Sequence, residues 1–230
     1  MSKISFINGQ YIENYKAKIS INDRSFHFAD AVYEVIAVFE KKLVFWKEHL
    51  ERLKSSLKHL DINYLVDSKL LKIKCEEIIE RNDMEEGLIY LHISRGIQNR
   101  NHDWSNSLKP CLVISAINKG IFNLKEKPIS LITNEDIRWK RAYIKSTSLL
   151  PNVILKKQAV KKGAGECVFK DNYGFITEAT HSNIFLIKNK CLITPPLEKK
   201  ILPGITRKKI LDFAKELNIK NSIKKFKEKD

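Results

Sequence analysis

The chain has 230 residues, 43% of them hydrophobic and 30% charged, a balance that excludes a disordered chain and suffices for one large domain or two smaller ones with real cores. No apolar run approaches the roughly 20 residues of a membrane helix, and the N-terminal MSKISFINGQYI lacks the apolar core of a signal peptide, so a soluble, cytoplasmic protein is expected. The net charge of +15 is spread over scattered lysines with acids among them, which points to a solvated basic surface that favours anionic ligands rather than to a nucleic-acid binder.

Residues 4–7 and 10–12 read as a hairpin turned at Asn8-Gly9. The β-rich stretches AVYEVIAVFE (31–40) and LVF (43–45) follow, with Lys41 and Lys42 expected to make the turn between them. WKEHLERLKSSLKHL then changes period, with Trp46, Leu50, Leu53, Leu57 and Leu60 on one helical face. A second helix is expected over 68–81 and strands over 88–94 and 111–117. The polar segment NKGIFNLKEKP (118–128), punctuated by Gly120 and Pro128, reads as an interdomain linker.

The second half opens with a strand near 129–137, and a helix starts after Pro151, a suitable first-turn residue. Short strands are expected around 166–170, 174–178, 183–187 and 191–194, with turns at DNYG and KNK. LPGITRKKILDFAKEL is a loop entering a helix, and NIKNSIKKFKEKD holds one last strand. The order is α+β in two domains, 1–117 and 129–230, without internal repeats. Cys75, Cys111, Cys167 and Cys191 fit neither a CxxC nor a zinc spacing, and each sits in an apolar stretch, as buried reduced thiols do.

Several segments carry possible chemistry. In EDIRWKRAYIKSTSLLPN, three of the four bases are spaced as ordinary solvated charges; Lys145 follows apolar Ile144 at a strand end, where a lysine is either a surface charge or an amine nucleophile. GITR (204–207) puts free N–H groups at a helix start, an N-cap or a phosphate site. Glu178 follows a short strand, Arg52 adjoins the core stripe of the first long helix, and Arg95, Arg100 and His102 share one loop. Taken alone, each of these is more often a surface residue or a plain helix cap than a site residue.

Taken together, NDRSFHFADAVYEV, HLERL, SRG, EDIRWKRAYIKSTSLLPNVILKKQA, TEATHSNIF and LPGITR resemble the fold-type IV pyridoxal-phosphate enzymes, in family order from about residue 4 to 217. The resemblance implies a two-domain fold with pyridoxal 5′-phosphate in the cleft. It implies that Lys145 is the Schiff-base lysine, which shuttles the substrate proton, and that Glu178 pairs with the pyridine nitrogen. Arg52 and the N–H groups of Ile205 and Thr206 then hold the phosphate. Arg100 and His102 resemble the carboxylate trap of the D-amino-acid aminotransferases, reaching in from the partner subunit of a homodimer and acting with Tyr33. The implied reaction exchanges amino groups between D-amino acids such as D-alanine and 2-oxo acids such as 2-oxoglutarate. Family members continue well past the helix that ends near Leu217, so a C-terminally truncated member is expected. The alternatives are a branched-chain aminotransferase or aminodeoxychorismate lyase on the same scaffold, or an inactive remnant.

Overall fold

A computed structural model describes residues 3–121 and 128–230; the expected linker at 118–128 falls for its larger part outside them. The chain forms two compact units. One takes residues 3–121 together with Ile144–Ser148, the other 128–143 together with Leu149–Asp230.

The first unit is a six-stranded antiparallel sheet with helices on one face. Its strands are β1 (Ile4–Ile7), β2 (Gln10–Glu13), β3 (Ala31–Phe39), β4 (Lys42–Leu43), β5 (Glu86–Ser94) and β6 (Cys111–Asn118), in the order β2-β1-β6-β5-β3-β4. Three helices accompany them: α1 (Arg24–Phe28), α2 (Trp46–His59) and α3 (Ser68–Arg81). Burial alternates along β3 and β5, as the two-residue period of a strand requires. Val32, Ile36, Val38, Ile89, Leu91 and Ile93 enter one core with Leu50, Leu53 and Leu57 of α2 and Leu71, Cys75, Ile78 and Ile79 of α3. The expected hairpin turns at Asn8-Gly9, both at positive φ. The next turn departs from expectation. It is made by Glu40 and Lys41, at φ 48° and 61°, and Lys42 already pairs with Phe39. Strand twist demands the left-handed turn here even without a glycine.

The second unit holds two three-stranded sheets. In the first, β7 (Leu131–Glu135), β8 (Glu166–Lys170) and β9 (Ile176–Ala179) run in the order β7-β8-β9; in the other, β10 (Leu186–Lys188), β11 (Cys191–Thr194) and β12 (Asn221–Ile223) run in chain order. The parallel pairs β7–β8 and β11–β12 are each joined through a helix, α4 (Leu150–Lys161) and α5 (Ile205–Glu216). Val168, Ile176, Ala179, Ile193 and Phe226 pack between the sheets. All four cysteines are free; three are buried and Cys191 is half-buried. Among the described residues no helix is long and apolar enough to cross a membrane.

Lys145 was expected in the second domain, yet its segment packs with the first unit. Val32 and Ser146 form an antiparallel bridge, and the Tyr33 N–H donates to the Lys145 carbonyl at 3.0 Å. The Thr147 N–H donates to the Ala31 carbonyl at 3.1 Å, so the segment satisfies backbone groups that β3 leaves unpaired at its start.

Candidate active site

On the first unit, extended backbone sends alternate side chains to opposite sides. Ile144 and Ser146 are buried, and the half-buried Lys145 between them lies with its Nζ 4.3 Å from the centroid of the Tyr33 ring. The Lys145 N–H donates to Ser56 Oγ of α2 at 3.2 Å, and Thr147 Oγ1 donates to the Ala29 carbonyl at 2.9 Å. The lysine backbone is therefore held from both β3 and α2.

Next to Tyr33 on β3, Glu34 turns inward and is 1% exposed. Arg52 Nε and Nη2 donate to its two oxygens at 2.9 and 2.7 Å, and His49 Nδ1 lies 2.7 Å from Oε2. His49 and Arg52 are three residues apart on α2, hence on one face. Burial alone would raise the Glu34 carboxyl, but the hydrogen bonds from Arg52 and His49, with the charges of Arg52 and Lys145, hold it below its ordinary range. Arg52 is thus locked in orientation by a carboxylate rather than packed by its stem alone.

Arg100 and His102 are exposed, two residues apart in one loop, and both lie against the ring of Phe28. The Arg100 guanidinium carbon lies 5.3 Å from the centroid of the Phe28 ring, and the His102 ring lies 5.3 Å from the same ring.

On the second unit, Glu178 belongs to β9, all four of whose residues are buried. One oxygen pairs with Arg138 Nη1; the other accepts from the Leu202 N–H at 3.0 Å and from Asn183 Nδ2 at 3.2 Å. Arg138 also pairs with Asp136, its Nε and Nη2 donating at 2.9 and 2.8 Å. The expectation that the bases before Lys145 are all solvated fails at Arg138, whose side chain is 5% exposed. Its guanidinium is needed inside because two buried carboxylates face it. Burial works to lower the Arg138 pKa, but Asp136 and Glu178 outweigh it and hold the group above its ordinary value. One guanidinium cannot neutralise two carboxylates, and burial pushes Glu178 up to about 7 against the pull of Arg138. The cluster of Asp136, Arg138 and Glu178 is one positive charge short.

Asn183 ties this cluster to the start of α5. Its Nδ2 also donates to the Leu202 carbonyl at 3.0 Å, and Gly204, the N-cap of α5, lies so close that an added Cβ would sit 1.8 Å from Asn183 Oδ1. Gly204 has no side chain to cap with, and among the described residues no side-chain cap bond closes the first turn of α5 at buried Ile205 and exposed Thr206.

The geometry joins Lys145 with Tyr33, Arg52 with Glu34, Arg100 with His102, and Glu178 with the loop that enters α5. Sequence reasoning passed over Glu34, Asp136, Arg138 and Asn183. Glu34 did carry a signal, since it falls in phase with Val32, Ile36 and Val38. Asp136 and Arg138 stand two apart just past β7, where the Arg138 N–H donates to Asp136 Oδ1 at 3.2 Å and so brings the two side chains together.

The family model described as amino-transferase class IV matches residues 31–230. A D-alanine aminotransferase of Staphylococcus aureus is 37% identical over 225 residues, covering 95% of this chain and 78% of its own. A branched-chain amino acid aminotransferase of Escherichia coli superposes with a TM-score of 0.92 at 23% identity, over 99% of this chain and 79% of that one, a likeness of fold. A structure described as a 4-amino-4-deoxychorismate lyase, from Legionella pneumophila, gives 0.85 at 27% identity, over 94% and 80%.

Proposed function

The chain belongs to the class IV aminotransferases, and we propose on that basis that it exchanges amino groups between D-amino acids, D-alanine foremost, and 2-oxo acids such as 2-oxoglutarate. The observation that carries this reading is the pairing of Arg100 and His102 on one aromatic ring, two cationic or hydrogen-bonding groups presented together for a carboxylate. The relatives at 37% identity named D-alanine aminotransferases support it.

Class IV aminotransferases work with pyridoxal 5′-phosphate, which when bound supplies an electron-accepting ring. The residues present fit that group. The cluster around Glu178 lacks one positive charge, the one a protonated pyridine nitrogen brings. The uncapped first turn of α5, at Ile205 and Thr206, suits a phosphate, and Arg52 adds a guanidinium oriented by Glu34. Lys145 would attach to the aldehyde and, once released, carry a proton on Nζ to and from the substrate's α-carbon. Tyr33 and Lys145 lie together, so the substrate carboxylate would be held by Tyr33 with Arg100 and His102. The same reading makes the protein a cytoplasmic homodimer in which the Arg100–His102 loop serves the neighbouring copy.

The test is turnover of the cofactor-loaded protein with D-alanine and 2-oxoglutarate, followed as pyruvate, beside L-isoleucine and aminodeoxychorismate. D-Alanine should be preferred, and Arg100→Ala should raise its KM. Turnover of L-isoleucine or aminodeoxychorismate without D-alanine would refute the reading in favour of the other two class IV activities.

A further inference from the structure

Arg24 is 3% exposed, in a five-residue helix set by the Asp23 side chain, which accepts from the Ser25 N–H. Its Nε donates to Asp30 Oδ2 at 2.8 Å. The rest of the fork is spent on backbone. Nη1 donates to the carbonyls of Asn101 and Asp103 at 2.6 and 3.2 Å, and Nη2 to that of His102 at 3.1 Å. Three consecutive carbonyls of one loop thus converge on one guanidinium. Four residues further along α1, the Phe28 ring meets Arg24 at 4.8 Å, Arg100 at 5.3 Å and the ring of His102 at 5.3 Å. Asp30 is shared with Arg95, whose Nε and Nη2 donate to it at 2.7 and 3.0 Å and whose guanidinium faces the Trp104 ring at 4.0 Å.

Two buried guanidiniums on one carboxylate are a poor device for stability, because each must be desolvated and only one charge opposes them. The arrangement is a good device for fixing a loop. Residues 99–107 are all exposed and have no core of their own to order them. A planar fork reaching three carbonyls removes that freedom as a single ammonium cannot.

We propose that Arg24 and Phe28 are positioning residues for substrate binding: Arg24 fixes the backbone of residues 101–103 and Phe28 fixes the side chains of Arg100 and His102, so that α1 sets the affinity for the substrate carboxylate without touching the substrate. The proposal rests on reading Arg100 and His102 as the carboxylate-binding pair.

The test uses the cofactor-loaded full chain and the variants Arg24→Lys, Phe28→Leu and Arg100→Ala. Steady-state kinetics with D-alanine and 2-oxoglutarate are measured beside amide hydrogen exchange of residues 98–105 without substrate. Losing hydrogen bonds to a charged group predicts KM values for both substrates raised about tenfold or more in Arg24→Lys, and losing the ring that meets Arg100 and His102 predicts a rise of about 2- to 5-fold in Phe28→Leu, each with kcat changed less and with faster exchange confined to the loop. Wild-type KM and exchange in both variants, or losses that fall on kcat and cofactor affinity with KM unchanged, would overturn the inference. If Arg24→Lys fails to fold, Phe28→Leu decides alone. If Arg100→Ala itself leaves both KM values at the parent level, the carboxylate reading is what falls, a result separate from the behaviour of α1.

Discussion

Replacing Glu178 by glutamine should change how stability depends on pH. In the cofactor-free protein burial lifts this carboxyl from its ordinary 4.5 to about 7. A group that binds its proton more tightly folded than unfolded contributes stability that is fully present below pH 4.5 and lost as pH rises through about 7. Each pKa unit corresponds to about 1.4 kcal/mol, so the contribution lost across this window is ~3 kcal/mol, a sizeable share of the 5–15 kcal/mol typical of a folded domain. Glu178→Gln keeps the shape and an acceptor for Arg138 or the Leu202 N–H, but has no proton to exchange. The variant should therefore gain on the parent by up to ~3 kcal/mol between about pH 4 and about pH 8. Urea unfolding of both proteins at closely spaced pH values measures the difference. Parallel profiles would refute the reasoning, because they would mean that Arg138 alone suffices to ionise Glu178 in the folded state. Bound pyridoxal phosphate should flatten the parent's profile, since its ring nitrogen brings the missing positive charge.

Gly204→Ala should cost about 2–4 kcal/mol, because the new Cβ lies 1.8 Å from Asn183 Oδ1 and dislodges two hydrogen bonds, one of them to a charged group. Its φ of −67° suits alanine, so the cost is steric; Asn183→Ala in the same chain should absorb it, and additive losses in the double variant would count against this origin. Lys145→Ala should end borohydride-reducible attachment of the cofactor, read by mass spectrometry, and mixing it with Arg100→Ala chains should restore turnover. Persistent attachment would identify another lysine, and no restoration despite subunit exchange would put the carboxylate pair and the lysine of one site in the same chain.

The long elements were legible because they repeat. The α2 stripe and the alternation along β3 are signals carried by many residues, and α3, β8 and β11 match their expected bounds. The helix α1 was not legible, since five residues span little more than one turn and show no period; its signal is local, an Asp23 cap two residues before Ser25. Lys145, Glu178, Arg52 and the α5 start could be named through a resemblance, but what holds each in place could not. Arg138 looks in sequence like any other base of a chain with 42, and its burial follows from its pairing with Asp136 and with Glu178 of β9 and its seat on the Phe169 ring of β8, a tertiary fact. Asn183 lies five residues from Glu178 and 19 from Leu202, and neither spacing belongs to a periodic element.

The bridge that carries Lys145 to the start of β3 bears on how the protein comes to be active. Thr147 bonds to the Ala29 carbonyl across 118 residues of chain, whereas the β1–β2 and β3–β4 hairpins close over a few. Closing a loop of that length costs conformational entropy before any contact rewards it, and such long-range pairings form slowly. The hairpins and the helices can therefore be complete while the lysine is still unplaced. Recovery of catalytic competence should lag behind recovery of helices and hairpins during refolding, and the interval between them is a state that has its local elements but has not yet placed Lys145.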